Sequence, residues 1–220
     1  MLKKLTVNNY FLLIILSAIW GSAFFAIKIG LESFSPITVA SLRLSIASLF
    51  LLFFFYIQKK KIFFTARIIY LLIIIGIIGN FIPFFLISWA EQYIPSSTAG
   101  MLMAIGPIIT LVMSHFLTKS DKFTIIKFVS ISIGFIGVLF IFSTNSFGNL
   151  VEYNFIDLIA KFLVIIAAFG YMLSNIIAYE KLNQLDSFSI TTFATTFGAI
   201  FSIPFFLIDI SFNNYNYSFN

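Results

Sequence analysis

The chain has 220 residues, of which 60% are hydrophobic and only 10% charged, with a mean hydropathy of +1.07. No soluble domain of this size needs so much apolar surface, and the absence of cysteine excludes disulfides, thiol catalysis and cysteine-ligated metals. The net charge of +5 does not point to nucleic acid, because the basic residues are sorted by loop.

About 20 apolar residues in helical form cross a bilayer, and stretches of that length recur at 10–30, 36–57, 67–88, 96–118, 124–143, 158–178 and 188–210. The expectation is an all-α integral membrane bundle of seven transmembrane helices with no soluble module and the lipid bilayer as its surroundings. Span 1 follows Lys3 and Lys4, is longer than a cleavable signal core and is read as an uncleaved first helix. Trp20 lies deep within it, where anchoring at headgroups does not account for an indole. Lys28 lies near its end, one turn from Glu32, which is placed to pair with it. Ser35-Pro36 and Pro95-Ser96-Ser97-Thr98 carry the proline and hydroxyl residues of helix starts. Arg43 falls seven residues into span 2, roughly 10 Å along the helix. Ionisable groups at that depth are costly, so a role is expected: holding an anionic group, pairing across helices, or reaching the headgroups. Asn80 sits past the middle of span 3, where its amide needs a helix or a substrate as partner.

Pro83 and Pro107 interrupt spans 3 and 4, each removing a backbone bond, and are the hinge candidates. Small residues recur at Ser96, Gly100 and Ala104, which suggests span 4 as the centre of the bundle. His115, the single histidine, falls near the end of span 4. In span 6, Asp157 and Lys161 have the spacing of a helical pair, and Tyr171 and Asn175 lie further along. Trp20, Asn80, Tyr171 and Asn175 together would line a cavity for a small metabolite. Lys28 and Arg43, if they share its vestibule, would favour carboxylate or phosphate groups.

Charge sorting orients the chain. Lys59, Lys60, Lys61, Arg67, Lys119, Lys122, Lys127 and Lys181 mark one side with the N-terminal lysines; Glu32, Glu91, Glu152 and Asp157 mark the other. Positive loops stay cytoplasmic. The N-terminus and the 58–66, 119–123 and 179–187 loops are therefore expected inside, in a multi-pass protein of the bacterial inner (plasma) membrane. No phosphate-binding loop of the Walker type is present, so direct ATP hydrolysis is not expected. No Ser–His pair, facing aspartates or metal-ligand cluster supports an intramembrane enzyme. Span 7 lacks the mid-helix lysine of a retinal protein, and a seven-helix receptor is the lesser alternative.

Ala18-Ile19-Trp20-Gly21-Ser22 is echoed by Ala167-Ala168-Phe169-Gly170-Tyr171, and Ile37-Thr38 by Ile190-Thr191, five spans apart. An odd number of spans per copy inverts the second, as in many secondary transporters. Several segments resemble the EamA family of the drug/metabolite transporter superfamily. They are Trp20-Gly21-Ser22, Ala26-Ile27-Lys28-Ile29-Gly30-Leu31, Leu42-Arg43, Ala90-Glu91-Gln92-Tyr93-Ile94-Pro95, Ile105-Gly106-Pro107-Ile108, Asp121-Lys122 and Gly134-Phe135-Ile136-Gly137-Val138. The resemblance implies two inverted five-helix repeats and the export or exchange of small metabolites such as amino acids, without a cofactor. Residues 1–143 would form the first repeat and 144–220 the start of an incomplete second. Three helices of the ten would be lacking, supplied by a second copy in a homodimer or by a three-helix complement. Otherwise the chain is a fragment or a non-transporting remnant.

Overall fold

The computed structural model describes residues 7–60, 62, 64–117, 124–143 and 155–212. The described residues form helices and no strand: α1 (Val7–Gly30), α2 (Pro36–Ile57), α3 (Ala66–Gly76), α4 (Ile82–Ala90), α5 (Ser96–Met103), α6 (Gly106–Leu117), α7 (Ile125–Ser143), α8 (Phe155–Lys181) and α9 (Ser187–Phe212). A π-helical segment, Ile77–Phe81, joins α3 to α4, so span 3 is one rod over Ala66–Ala90. A short break joins α5 to α6 in span 4. Among the described residues six rods are long and apolar enough to cross a membrane: Tyr10–Gly30, Pro36–Ile57, Ala66–Ala90, Ser96–His115, Phe155–Lys181 and Ser187–Phe212. The remaining helix, α7, has 19 residues and, at 1.5 Å per residue, is about 28 Å long. The all-α membrane architecture expected from composition is the one observed.

Helix starts follow local chemistry. Ser35 Oγ accepts from the Thr38 N–H at 3.2 Å, and Pro36 occupies the first position of α2, where a missing N–H costs nothing. Thr65 Oγ1 accepts from the Ile68 N–H at 3.3 Å to open α3. At the 95–98 start the arrangement differs from expectation. Pro95 is the extended residue before α5 and makes no side-chain cap, while the Ser96 hydroxyl turns back to Glu91.

Span 3 rather than span 4 is the most buried rod. The reason is its π segment. Pro83 has no N–H, and the ladder upstream loosens so that the Ile82 N–H bonds the Ile77 carbonyl. The neighbouring glycines then meet other helices at backbone distance. A Cβ on Gly76 would lie 2.8 Å from the Gly198 nitrogen of α9 and collide with the Ala194 carbonyl. A Cβ on Gly79 would strike the Ser174 side chain of α8, and one on Gly170 would stand 2.6 Å from the Ile78 carbonyl. Lipid supplies no hydrophobic drive between helices, so such close approach is what holds them. The Ser96/Gly100/Ala104 stripe expected to be central is not: Ala104 is exposed at the α5–α6 break, and Gly100 packs on the Phe24 ring of α1.

Helices α2 and α9 run antiparallel and are joined at both ends. At one end Asp209 accepts from Ser35 Oγ at 2.6 Å and Thr38 Oγ1 at 2.7 Å, setting a carboxylate at the positive N-terminus of α2. At the other, Asp186 caps α9 by accepting from the Ser189 N–H at 3.3 Å, and it also accepts from Ser189 Oγ at 2.6 Å and from Lys60 Nζ at 2.7 Å. The Lys60 and Ser189 hydrogen bonds hold the Asp186 carboxyl down at about 2.

Two outcomes are expected of purified protein in detergent. Gly76→Val should lower the melting temperature, overpacking of this kind costing about 1–3 kcal/mol. Gly21→Val, where nothing lies within 4 Å, should not. Asp186→Ala should cost about 1 kcal/mol through the lost cap. Because the folded-state value is depressed, that difference is present above the usual carboxylate range and should narrow as pH falls from 3.8 to about 2.

Candidate functional site

Four spans converge at the end of the bundle that carries the 31–35 and 91–95 turns. Ile27 of α1, Val39 of α2, Ile87 of α4 and Ala167 of α8 form one buried cluster, against which Phe24, Met103 and Tyr171 pack. Beside this cluster two of the expected functional residues, Arg43 and Tyr171, come together through the Phe84 ring. Arg43 is half-buried, and its guanidinium lies over the Phe84 ring, 4.3 Å from the centroid. Phe84 follows Pro83, so the end of the π segment aims the ring that carries Arg43. The Phe84 and Tyr171 rings are 5.9 Å apart, which extends the row from α2 through α4 to α8. Arg43 therefore rests on an aromatic face, a favourable seat for a cation, that leaves its planar donor fork available to an anion.

Lys28 does not pair with Glu32. Its Nζ donates to the main-chain carbonyl of Glu91 at 2.6 Å. The physical reason is that Glu91 closes α4, and the last carbonyls of a helix lack intrahelical donors and carry its negative pole. Glu32 is exposed, so a pair there competes with water. The Glu91 side chain is fully buried. One carboxyl oxygen accepts from Ser96 Oγ at 2.9 Å, and the other, Oε1, has no donor among the described residues. Burial pushes the Glu91 carboxyl up to about 7, against the opposing pull of the Ser96 hydroxyl and the Lys28 and Arg43 charges.

The other candidates lie elsewhere. Asn80 is in the π segment, half-buried at the contact with α9, where its Cβ is 3.5 Å from the place a Gly198 Cβ would take. Trp20 of α1 is 64% exposed, and Asn175 of α8 is also exposed. Pro83 is buried against Gly170, while Pro107 is exposed at the second position of α6, next to the break in span 4. Both hinge candidates thus adjoin irregular backbone. Lys161 is buried and bonds Asp157 at 2.8 Å, as their spacing suggests. His115 is exposed. Among the described residues no group of three His, Asp or Glu side chains is placed to hold a metal ion.

The sequence profile of the EamA-like transporter family matches residues 8–143. The chain belongs to that family. A transporter of Archaeoglobus fulgidus, itself uncharacterized, is 29% identical over 187 residues, covering 84% of this chain and 63% of the relative. The uncharacterized inner membrane transporter YedA of Escherichia coli K12 is 32% identical over 134 residues, 60% of this chain and 42% of the relative. A "probable terminal-alkyne amino-acid exporter" of Streptantibioticus cattleyicolor is 30% identical over 102 residues, 43% of this chain and 32% of the relative. The chain spans less than two thirds of the length of these relatives. No solved structure matches.

Within this EamA-like chain, sequence reasoning used Glu91 only as a topological marker and as part of a motif. The signal that could have singled it out is its position. It directly follows a 25-residue apolar rod and precedes Pro95, so its side chain cannot leave the end of the bundle easily. Asp209 is not singled out by the sequence. Its partners on α2 are more than 170 positions away in the chain, and nothing local announces them.

Proposed function

We propose that this membrane protein is a secondary transporter that exports or exchanges small metabolites bearing a carboxylate, amino acids among them. The observation that carries this reading is Arg43: a half-buried guanidinium seven residues into its span, seated on the Phe84 ring beside Tyr171. A charge at that depth is costly unless it is used, and a planar donor fork suits a carboxylate. Family membership and the name of the Streptantibioticus relative, an amino-acid exporter, support the same class. Tyr171 supplies a further polar contact, Asn80 is the candidate deeper in the path, and Pro83 and Pro107 are the points at which spans 3 and 4 would bend. No catalytic role is assigned to any residue. Residues 1–143 are read as the first repeat and 144–220, with α8 and α9, as the start of an inverted second.

The N-terminal side is read as cytoplasmic. Lys59, Lys60, Arg67 and Lys181 flank the helix ends near Asp186, and Glu32 and Glu91 lie at the opposite end, in keeping with the rule for positive loops.

In proteoliposomes preloaded with labelled amino acids, Arg43→Gln should raise KM for carboxylate substrates about tenfold or more. Hydrogen bonds to charged groups contribute about 1.5–3 kcal/mol, and 1.4 kcal/mol is tenfold. Equal discrimination between carboxylate substrates and their amides in both proteins would remove Arg43 from the path. Orientation is testable on a cysteine-free background. An impermeant maleimide should label Ser33→Cys in intact cells, and Gln58→Cys only after the membrane is opened.

A further inference from the structure

One buried ionisable side chain is left unused by the transport reading. Glu91 is wholly enclosed at the α4–α5 turn, yet one of its carboxyl oxygens receives no donor among the described residues. A buried carboxylate left half-satisfied is expensive, and a neutral carboxyl is far less so. The cation nearest to hand, Lys28, bonds the backbone carbonyl of the same residue at 2.6 Å and not its side chain. That choice fits a carboxyl that carries a proton.

We propose that Glu91 is a proton-binding site, neutral in the arrangement described, and that Lys28 becomes its charge partner when the proton leaves. The step balances simply. The carboxyl O–H bond breaks, the proton passes to the adjoining aqueous phase, and the electron pair stays on the carboxylate. The Lys28 ammonium, on a stem of four rotatable carbons, then turns from the Glu91 carbonyl to the carboxylate a few bonds away.

The surroundings define which charges act on the site. From α1 comes Lys28, with Glu32 exposed in the turn beyond. From α2 comes Arg43, seated on Phe84. From α5 comes the Ser96 hydroxyl, on the other carboxyl oxygen. From α8 come Tyr171 and Lys161, the latter bonded to Asp157. The α4 rod that ends at Ala90 brings no ionisable side chain. Burial opposes the negative charge while Lys28 and Arg43 favour it, which sets the carboxyl at about 7 and within the physiological range.

The site also gives the fold a pH dependence of definite sign. The folded-state value lies above the ordinary 4.5, so the folded protein holds a proton that the unfolded chain releases. The associated stability is present below 4.5 and is lost as pH rises through about 7.

Infrared difference spectroscopy on the full chain in lipid nanodiscs tests this without any transport measurement, so its outcome is independent of the transport reading. A protonated-carboxyl C=O band should disappear with a midpoint near pH 7 when pH is raised from about 5 to about 9, a span of ionisation centred on a neutral value. The band should be missing in Glu91→Gln. In Lys28→Gln the midpoint should move upward, on the order of one unit, because an attracting positive charge is gone. Lys28→Gln leaves the carboxyl in place, so the test stands even if Glu91→Gln does not fold. No titrating band in that range, a band that survives in Glu91→Gln, or a midpoint unmoved in Lys28→Gln would overturn the proposal.

Discussion

Hydrocarbon offers a chain neither hydrogen bonds nor a hydrophobic reason for helices to associate. What remains is close contact, and in this protein it is concentrated around the irregular stretch of span 3. Pro83 loosens the ladder, the Ile77–Phe81 segment widens into a π turn, and Gly76 and Gly79 bring their backbone against α9 and α8. Gly170 and Gly198 reciprocate from the other side. If any of these positions carried a larger side chain, helices would have to separate along a contact that nothing else in lipid would restore. The π turn also begins the stretch that presents Phe84 to Arg43, so packing and the candidate site share one cause.

Two polar clusters stand at opposite ends of the bundle. Glu91, Lys28 and Ser96 gather at one end, and Lys60, Asp186 and Ser189 at the other. The difference between the two buried or capped acids is instructive. Asp186 faces water and receives several donors, so it is held ionised. Glu91 is enclosed with one donor on its side chain, and burial outweighs the nearby cations. The same residue class is pushed in opposite directions by environment alone.

Much of the architecture was legible in the sequence because it rests on local or one-dimensional signals. Apolar length announced the spans, Ser35-Pro36 announced the start of α2, and Asp157 with Lys161 announced a helical pair. The depth of Arg43 marked it as costly before its ring partner was known. What was not legible depends on which helices meet. Lys28 has an acid one turn away, yet it bonds a carbonyl 63 positions later, since a helix end inside the bundle outcompetes an exposed carboxylate. The regular stripe on span 4 suggested a centre, but backbone contact at span 3 decides the packing. Pro83 signalled a break without indicating that it would widen into a π turn. Trp20 and Asn175 had the right depth, but depth does not fix which face of a helix looks inward.

The two carboxylates at either end of α9 have a mechanical consequence. Asp209 is fastened to the first turn of α2, and Asp186 to Lys60 just past its last turn. The antiparallel pair is therefore clamped at both ends, over a length of roughly 35 Å at 1.5 Å per residue. Two helices fastened this way cannot slide past one another along the bilayer normal. When the surrounding membrane thins or thickens, the pair must answer as a single strut, by tilting. Helix α1 buries little of itself among the described residues, and its fastening to the bundle lies at one end, where Lys28 bonds the Glu91 carbonyl.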